Sequence, residues 1–225
     1  MSVKTSCFLS AEALAPGGLL IPNPEFAVLA SDQRIDAAAE ALERNGIRAL
    51  VVDTGQEARL RVRELLADGA EVFNNTSRTL ESIGVAEDIE RSGRYQAIRL
   101  RLYQMDREMQ GREMRVLAAA PEYVVGSVHA VTDGGSLLIA SASGSQLGPL
   151  VSGAAHVVLV IGGQKIVADL ETGLRRIQEY SYPLEDERAR RVYGVPSGAN
   201  NVLIINRVLV PQRVTAILVK EKLGF

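Results

Sequence analysis

Two short loops hold the side chains best suited to meet a ligand. Asn74-Asn75-Thr76-Ser77 follows the apolar strand Glu71-Val72-Phe73 and precedes a helical turn. Ser141 to Gln146 follows a strand buried on both faces, Ser136 to Ala140, and precedes a helix near Leu150. In open α/β sheets ligands settle where strands end and helices begin, because free N–H groups and the helix dipole favour an anion there. The candidate contacts are therefore Asn74, Thr76, Ser77, Ser143, Gly144, Ser145 and Gln146, with Lys165 as a cation for a phosphate or carboxylate. Plainer readings stand beside these. Thr76 or Ser77 suits an ordinary N-cap, the serine loop suits a tight connection, and Lys165 suits a loop cation. The expected ligand is a small anion or polar molecule in a crevice shared by both loops.

The other reactive residue types offer less. Asp133 sits in Thr132-Asp133-Gly134-Gly135, where Asp and Gly are turn formers, and Asp169 reads as a first-turn acid favoured by the helix dipole. His129 and His156 stand at strand starts with no acid or cysteine at metal-ligand spacing, so structural roles are expected. The single cysteine, Cys7, excludes an intrachain disulfide and a self-contained iron–sulfur or Cys-rich zinc site. No G-x-S-x-G, P-loop, G-x-G-x-x-G or H-E-x-x-H motif occurs. No metal and no cofactor are expected.

The elements that must position these residues alternate between strand and helix. An irregular Pro- and Gly-rich arm over residues 1–30, with a short strand at Leu19-Leu20-Ile21, leads into a helix from Ser31 to Asn45. Ile47 to Val52 and Glu71 to Phe73 flank a second helix, which predicts a neighbouring parallel pair with a right-handed crossover. Two short helices follow around Leu80 and from Val85 to Ser92. The spacing of Tyr95, Ile98, Leu102, Met105 and Met109 predicts one amphipathic helix to Gln110, with Met114 to Ala120 continuing as helix before Pro121. Val157 to Ile161 has the all-apolar look of a central strand, and Leu170, Leu174 and Ile177 share a helix face. A charged helix over Leu184 to Tyr193 and strands at Val202 to Asn206 and Arg213 to Lys220 complete the chain.

The net charge of -2 over 225 residues lends no electrostatic support to nucleic-acid binding. No apolar run approaches the roughly 20 residues of a membrane helix, and no signal peptide is expected. One cysteine suits a reducing compartment, so a cytoplasmic location is expected.

Four motifs in order carry a resemblance. Ser77-x-Thr79-Leu80-x-x-Ile83-Gly84, Val131 to Leu137, Lys165-Ile166-Val167-x-Asp169-Leu170, and Gly198 to Asn206 with Arg213-Val214-Thr215 resemble the LUD-domain proteins of the LutC/YkgG, lactate-utilisation type. The resemblance implies one domain over residues 1–225. Its implied fold is an α/β/α sandwich with a mostly parallel mixed sheet, similar to the NagB/RpiA/CoA-transferase group. Many relatives carry a C-x-x-C ahead of a third cysteine in the last segment. Here that stretch reads Asn200-Asn201-Val202-Leu203-Ile204-Ile205, so thiol or cluster chemistry does not carry over. The implied role is an accessory or ligand-binding component of lactate utilisation, not redox-active alone, with iron–sulfur subunits as partners. A stand-alone phosphosugar or acyl-thioester enzyme is the alternative, with Asp133 and Asp169 as its carboxylates. Whether the chain is catalytic, and whether it self-associates, stays open.

Overall fold

Runs of apolar residues without alternation need cover on both faces, and here they form the centre of a parallel sheet. The computed structural model describes residues 20–225. Its larger sheet has six strands in the order β1 (Arg48–Val52), β10 (Val214–Val219), β7 (His156–Gly162), β4 (Tyr123–Gly126), β2 (Glu71–Asn74) and β3 (Gln96–Ala97). Every adjacent pair is parallel. The mixed character sits in a second sheet of four strands, ordered β8 (Ile166–Val167), β5 (Ala130–Thr132), β6 (Leu137–Ser141) and β9 (Asn201–Ile205). There β6 runs antiparallel to both its neighbours.

Side chains alternate across the large sheet and separate two cores. Val72, Val125, Val158, Val160 and Ile217 pack against α2 (Gly55–Leu65), α3 (Arg78–Ser82) and α4 (Val85–Arg91). Phe73, Val124, Leu159 and Ala216 face the other way, onto α1 (Asp32–Arg44), α5 (Ile98–Gln104) and the inner face of the small sheet. The outer face of the small sheet is covered by α7 (Leu170–Arg176) and Ile177. Helices thus flank a central sheet in an α/β/α sandwich.

Three expectations need correction. β1 and β2 are parallel but not neighbours, because β10, β7 and β4 lie between them. The helix expected from Tyr95 to Gln110 is broken: Gln96–Ala97 joins the sheet edge beside β2, α5 ends at Gln104, and α6 spans Gly111–Ala119. Met105 is extended (φ -88, ψ 144), and Met109 is 82% exposed, so the pair makes no continuous apolar stripe. No strand forms at Leu20 and Ile21; Leu19, Cys7 and most of the expected arm lie outside the described residues.

Candidate functional site

The carboxyl ends of β2, β4 and β7 open into a cavity of about 370 Å³, completed by residues 141–146 after β6, by α8 (Tyr182–Tyr193) and by the loop before β9. Its size falls within the range of small-molecule sites, roughly 300–1,000 Å³. Both candidate loops reach it. Thr76, Ser77, Ser143, Ser145, Gln146 and Lys165 all line the wall.

Asn74 and Gly144 do not. The amide Nδ2 of Asn74 donates to Glu90 Oε1 at 2.8 Å, on the α4 side of the sheet. Strand alternation explains this: Asn74 shares the side of Val72, and Asn75 shares the side of Phe73. Asn75 is the one that lines the cavity, 5% exposed, and neither of its amide atoms has a partner. Gly144 serves the turn (φ +76), and its N–H donates to Ser141 Oγ at 3.0 Å. The amide of Ser145 is likewise turned to Ser143 Oγ, at 3.4 Å. The loop therefore spends these N–H groups on itself and offers hydroxyls instead. Ser77 is both things at once: it lines the cavity and caps α3 by accepting the Leu80 N–H at 3.4 Å. Thr76 Oγ1 accepts from Arg99 Nη2 at 2.8 Å.

Lys165 departs most from its plain reading. It ends the 3₁₀ turn Gly163–Lys165 after β7 and is 1% exposed. Its Nζ donates to Thr79 Oγ1 at 2.9 Å and to Ser127 Oγ at 3.0 Å. Burial, reinforced by the charge of Arg176, pushes the amine well below the usual lysine range. Arg176 is itself fully buried behind the wall. Its Nη1 donates to the His129 carbonyl and, at 3.0 Å, to Ser181 Oγ, while Nε and Nη2 have no partner. Burial lowers its guanidinium to about 10. Neither basic group has a carboxylate partner among the described residues.

His129 completes the wall. Its Nδ1 accepts the Ala140 N–H at 3.0 Å, and burial, then Lys165 and Arg176, push the imidazole down to about 3. The sequence gives no sign of Arg176, which is buried beside the exposed Arg175, nor of the convergence of His129 with Lys165. That meeting depends on the parallel pairing of β5 with β8, which sets the residues before the two strands side by side.

The acids lie elsewhere or are engaged. Asp133 pairs with Arg34 at 2.9 Å, away from the cavity. Asp169 caps α7 by accepting the Thr172 N–H at 2.8 Å, which holds its carboxyl below the usual range. Glu185 does line the cavity, but Arg188 grips it through two bonds of 2.7 and 2.6 Å. His156 stacks on Tyr123 with ring centres 4.9 Å apart. Among the described residues no group of three His, Cys, Asp or Glu could hold a metal ion, and no helix is long and apolar enough to cross a membrane.

The chain is similar in fold to a DUF162 family protein from Deinococcus radiodurans, with a TM-score of 0.53 over 85% of this chain and 99% of that one. Their sequences are 11% identical, so the likeness speaks for the fold alone. No curated protein matches the chain. The family model for the LUD domain matches residues 35–219, a span that runs from α1 through the last sheet strand and takes in Asn75, Lys165, Arg176 and the serine loop. The chain belongs to the LUD domain family.

Proposed function

We propose that this chain is a ligand-binding, accessory component of lactate or related organic-acid utilisation, of the LutC/YkgG type. One observation carries the reading: Lys165, buried in the cavity wall, and Arg176, fully buried behind it with two unpartnered nitrogens, have no acid to pair with among the described residues. A buried guanidinium with no acid beside it is costly, and an anion in the adjoining cavity offsets part of that cost. Ser77, Ser127 and Asn75 add polar groups suited to a carboxylate and a neighbouring hydroxyl. An acid–base enzyme of the NagB/RpiA/CoA-transferase class needs a free carboxylate in this crevice, and Glu185 is held by Arg188.

Two-electron oxidation of a 2-hydroxy acid needs an acceptor. A chain with one cysteine and no dinucleotide fingerprint does not supply one by itself, so the redox step falls to partner chains, with iron–sulfur subunits as the partners we propose. A reducing, cytoplasmic setting goes with this reading.

The test is calorimetric titration of the purified chain with lactate, acetate and inorganic phosphate, beside turnover with lactate and an artificial electron acceptor. One anion site per chain and no turnover by the isolated chain are expected. Arg176→Met should weaken the anion at least tenfold, about 1.4 kcal/mol. Its stability should change by less than about 2 kcal/mol, since the lost hydrogen bonds are offset by removal of a buried charge. Absence of anion binding, or turnover by the chain alone, would refute the reading.

A further inference from the structure

The amine of Lys165 has the surroundings of a nucleophile. Its two hydrogen-bond acceptors are hydroxyl oxygens, not carboxylates. The Thr79 hydroxyl donates onward to the Leu223 carbonyl at 3.0 Å, so its oxygen is left to accept from Nζ. A neutral amine has two N–H groups and one lone pair. With Thr79 and Ser127 taking the two N–H groups, the lone pair is unengaged in a cavity lined by Asn75 and the serine loop. Lys165 is also set at the end of the central strand β7 by a turn whose geometry is fixed from outside. A Cβ on Gly163 would meet Ile35, Leu29 and the Val219 carbonyl at 2.9 to 3.2 Å. A structural lysine gains little from such a position, because burial without an acid only costs stability.

We propose that Lys165 condenses with the carbonyl carbon of a small aldehyde or ketone that also carries an anionic group, forming an imine in this cavity. The proposal rests on the anion-binding reading of the same site, since the anionic group is what the polar wall, with the charge of Arg176 behind it, would hold. In the first step the Nζ lone pair forms the C–N bond while the carbonyl π electrons move to oxygen, which takes a proton. The carbinolamine then loses that oxygen as water, Nζ gives up its protons, and C=N remains. No electrons are gained or lost. The Ser127 hydroxyl, 3.0 Å from Nζ, is placed to pass a proton between nitrogen and the departing oxygen. Burial and the nearby Arg176 charge support the same step by lowering the amine well below the usual lysine range, which favours its free-base form. Once an iminium forms, its charge and that of the bound anion offset each other.

Reductive trapping tests this on the intact chain. Pyruvate and dihydroxyacetone phosphate, one a carboxylate and one a phosphate, are each incubated with the protein and sodium borohydride, followed by peptide mapping by mass spectrometry. Lactate and glycerol 3-phosphate serve as controls that keep the anion but lack the carbonyl. The expected result is an adduct on Lys165 approaching one per chain with at least one carbonyl probe, and none with the controls. The exposed Lys222 should be modified at least tenfold less. Lys165→Arg should abolish the adduct, and because the map of the wild-type chain already locates it, the result does not depend on that variant folding. No adduct on Lys165, or equal labelling of Lys165 and Lys222, would overturn the proposal. Should lactate still bind by calorimetry in that case, only the imine fails; if no anion binds either, the underlying reading fails with it.

Discussion

The imidazole of His129 is held in one tautomer, with Nδ1 accepting the Ala140 N–H and the ring proton left on Nε2. Its pKa is pushed down to about 3 in the fold, against about 6.5 in an unfolded chain. The sign follows from proton binding. Between those values the unfolded state holds the proton and the native state does not, so stability falls as the pH drops below about 6.5. Urea unfolding should show about 1.4 kcal/mol lost between pH 7.5 and 5.5 from this one group. His129→Gln should remove that share of the slope, whereas an unchanged slope would show the ring to be solvated. The lowered carboxyls of Asp88 and Glu179 stay ionised across this window and do not confuse the comparison. The Lys165 amine acts in the same direction, so the variant's remaining slope should be flat or of the same sign. His129 reads in the sequence as a strand-start residue, which it is. Its suppressed charge was not legible, because its burial, and then the approach of Lys165 and Arg176, are set by tertiary contact.

The hairpin between β5 and β6 shows what an element reveals through sequence and what it conceals. Thr132-Asp133-Gly134-Gly135 announces a turn but does not say which glycine the turn requires. Gly135 has φ +79, and a Cβ there would meet Ala41 backbone atoms at 2.6 Å. Gly134 has only Thr132 Oγ1 nearby, at 3.7 Å. Gly135→Ala should therefore cost at least about 2 kcal/mol, combining left-handed strain with a backbone collision. Gly134→Ala should stay within about 0.5 kcal/mol, and thermal unfolding of the two variants separates them. Equal losses would mean that general turn chemistry, not the packing of α1 against the hairpin, sets the requirement. The same limit explains the broken helix after Tyr95. Apolar spacing suggested continuity, but Gln96 and Ala97 are drawn into a sheet edge that the local sequence does not display. Asp106 then accepts the N–H groups of Glu108 and Met109 at 2.8 and 3.1 Å, starting a new turn as capping aspartates do.

At the scale of the whole molecule, the apolar runs identified the strands and the α/β class, while strand order lay beyond them. The pairing of β1 with β10 joins residues near opposite ends of the described chain, and nothing local to either strand names its partner. The candidate site was legible as two loops at strand ends with Lys165 beside them; what did not show was the alternation that turns Asn75 rather than Asn74 to the cavity, the burial of Lys165, and Arg176. The C-terminal strand is also what makes the sheet continuous. β10 pairs with β1 on one side and β7 on the other, and all six of its residues are buried. Removing it leaves two strand edges separated by about 9.6 Å, twice the ordinary strand spacing, with their N–H and C=O groups unpaired. A chain ending at Arg213 should therefore lose cooperative unfolding and expose apolar surface to a dye such as ANS. A chain ending at Lys222 keeps β10 but loses Leu223, whose carbonyl accepts from Thr79 Oγ1 and from Gln164 Nε2, each at 3.0 Å. That shorter cut should still unfold cooperatively, yet bind anions more weakly, because the Thr79 hydroxyl that supports Lys165 has lost its own acceptor. Circular dichroism melts of both truncations, with anion titration of the second, check the two outcomes. A cooperative melt from the chain ending at Arg213 would show that β1 and β7 can close the sheet without β10.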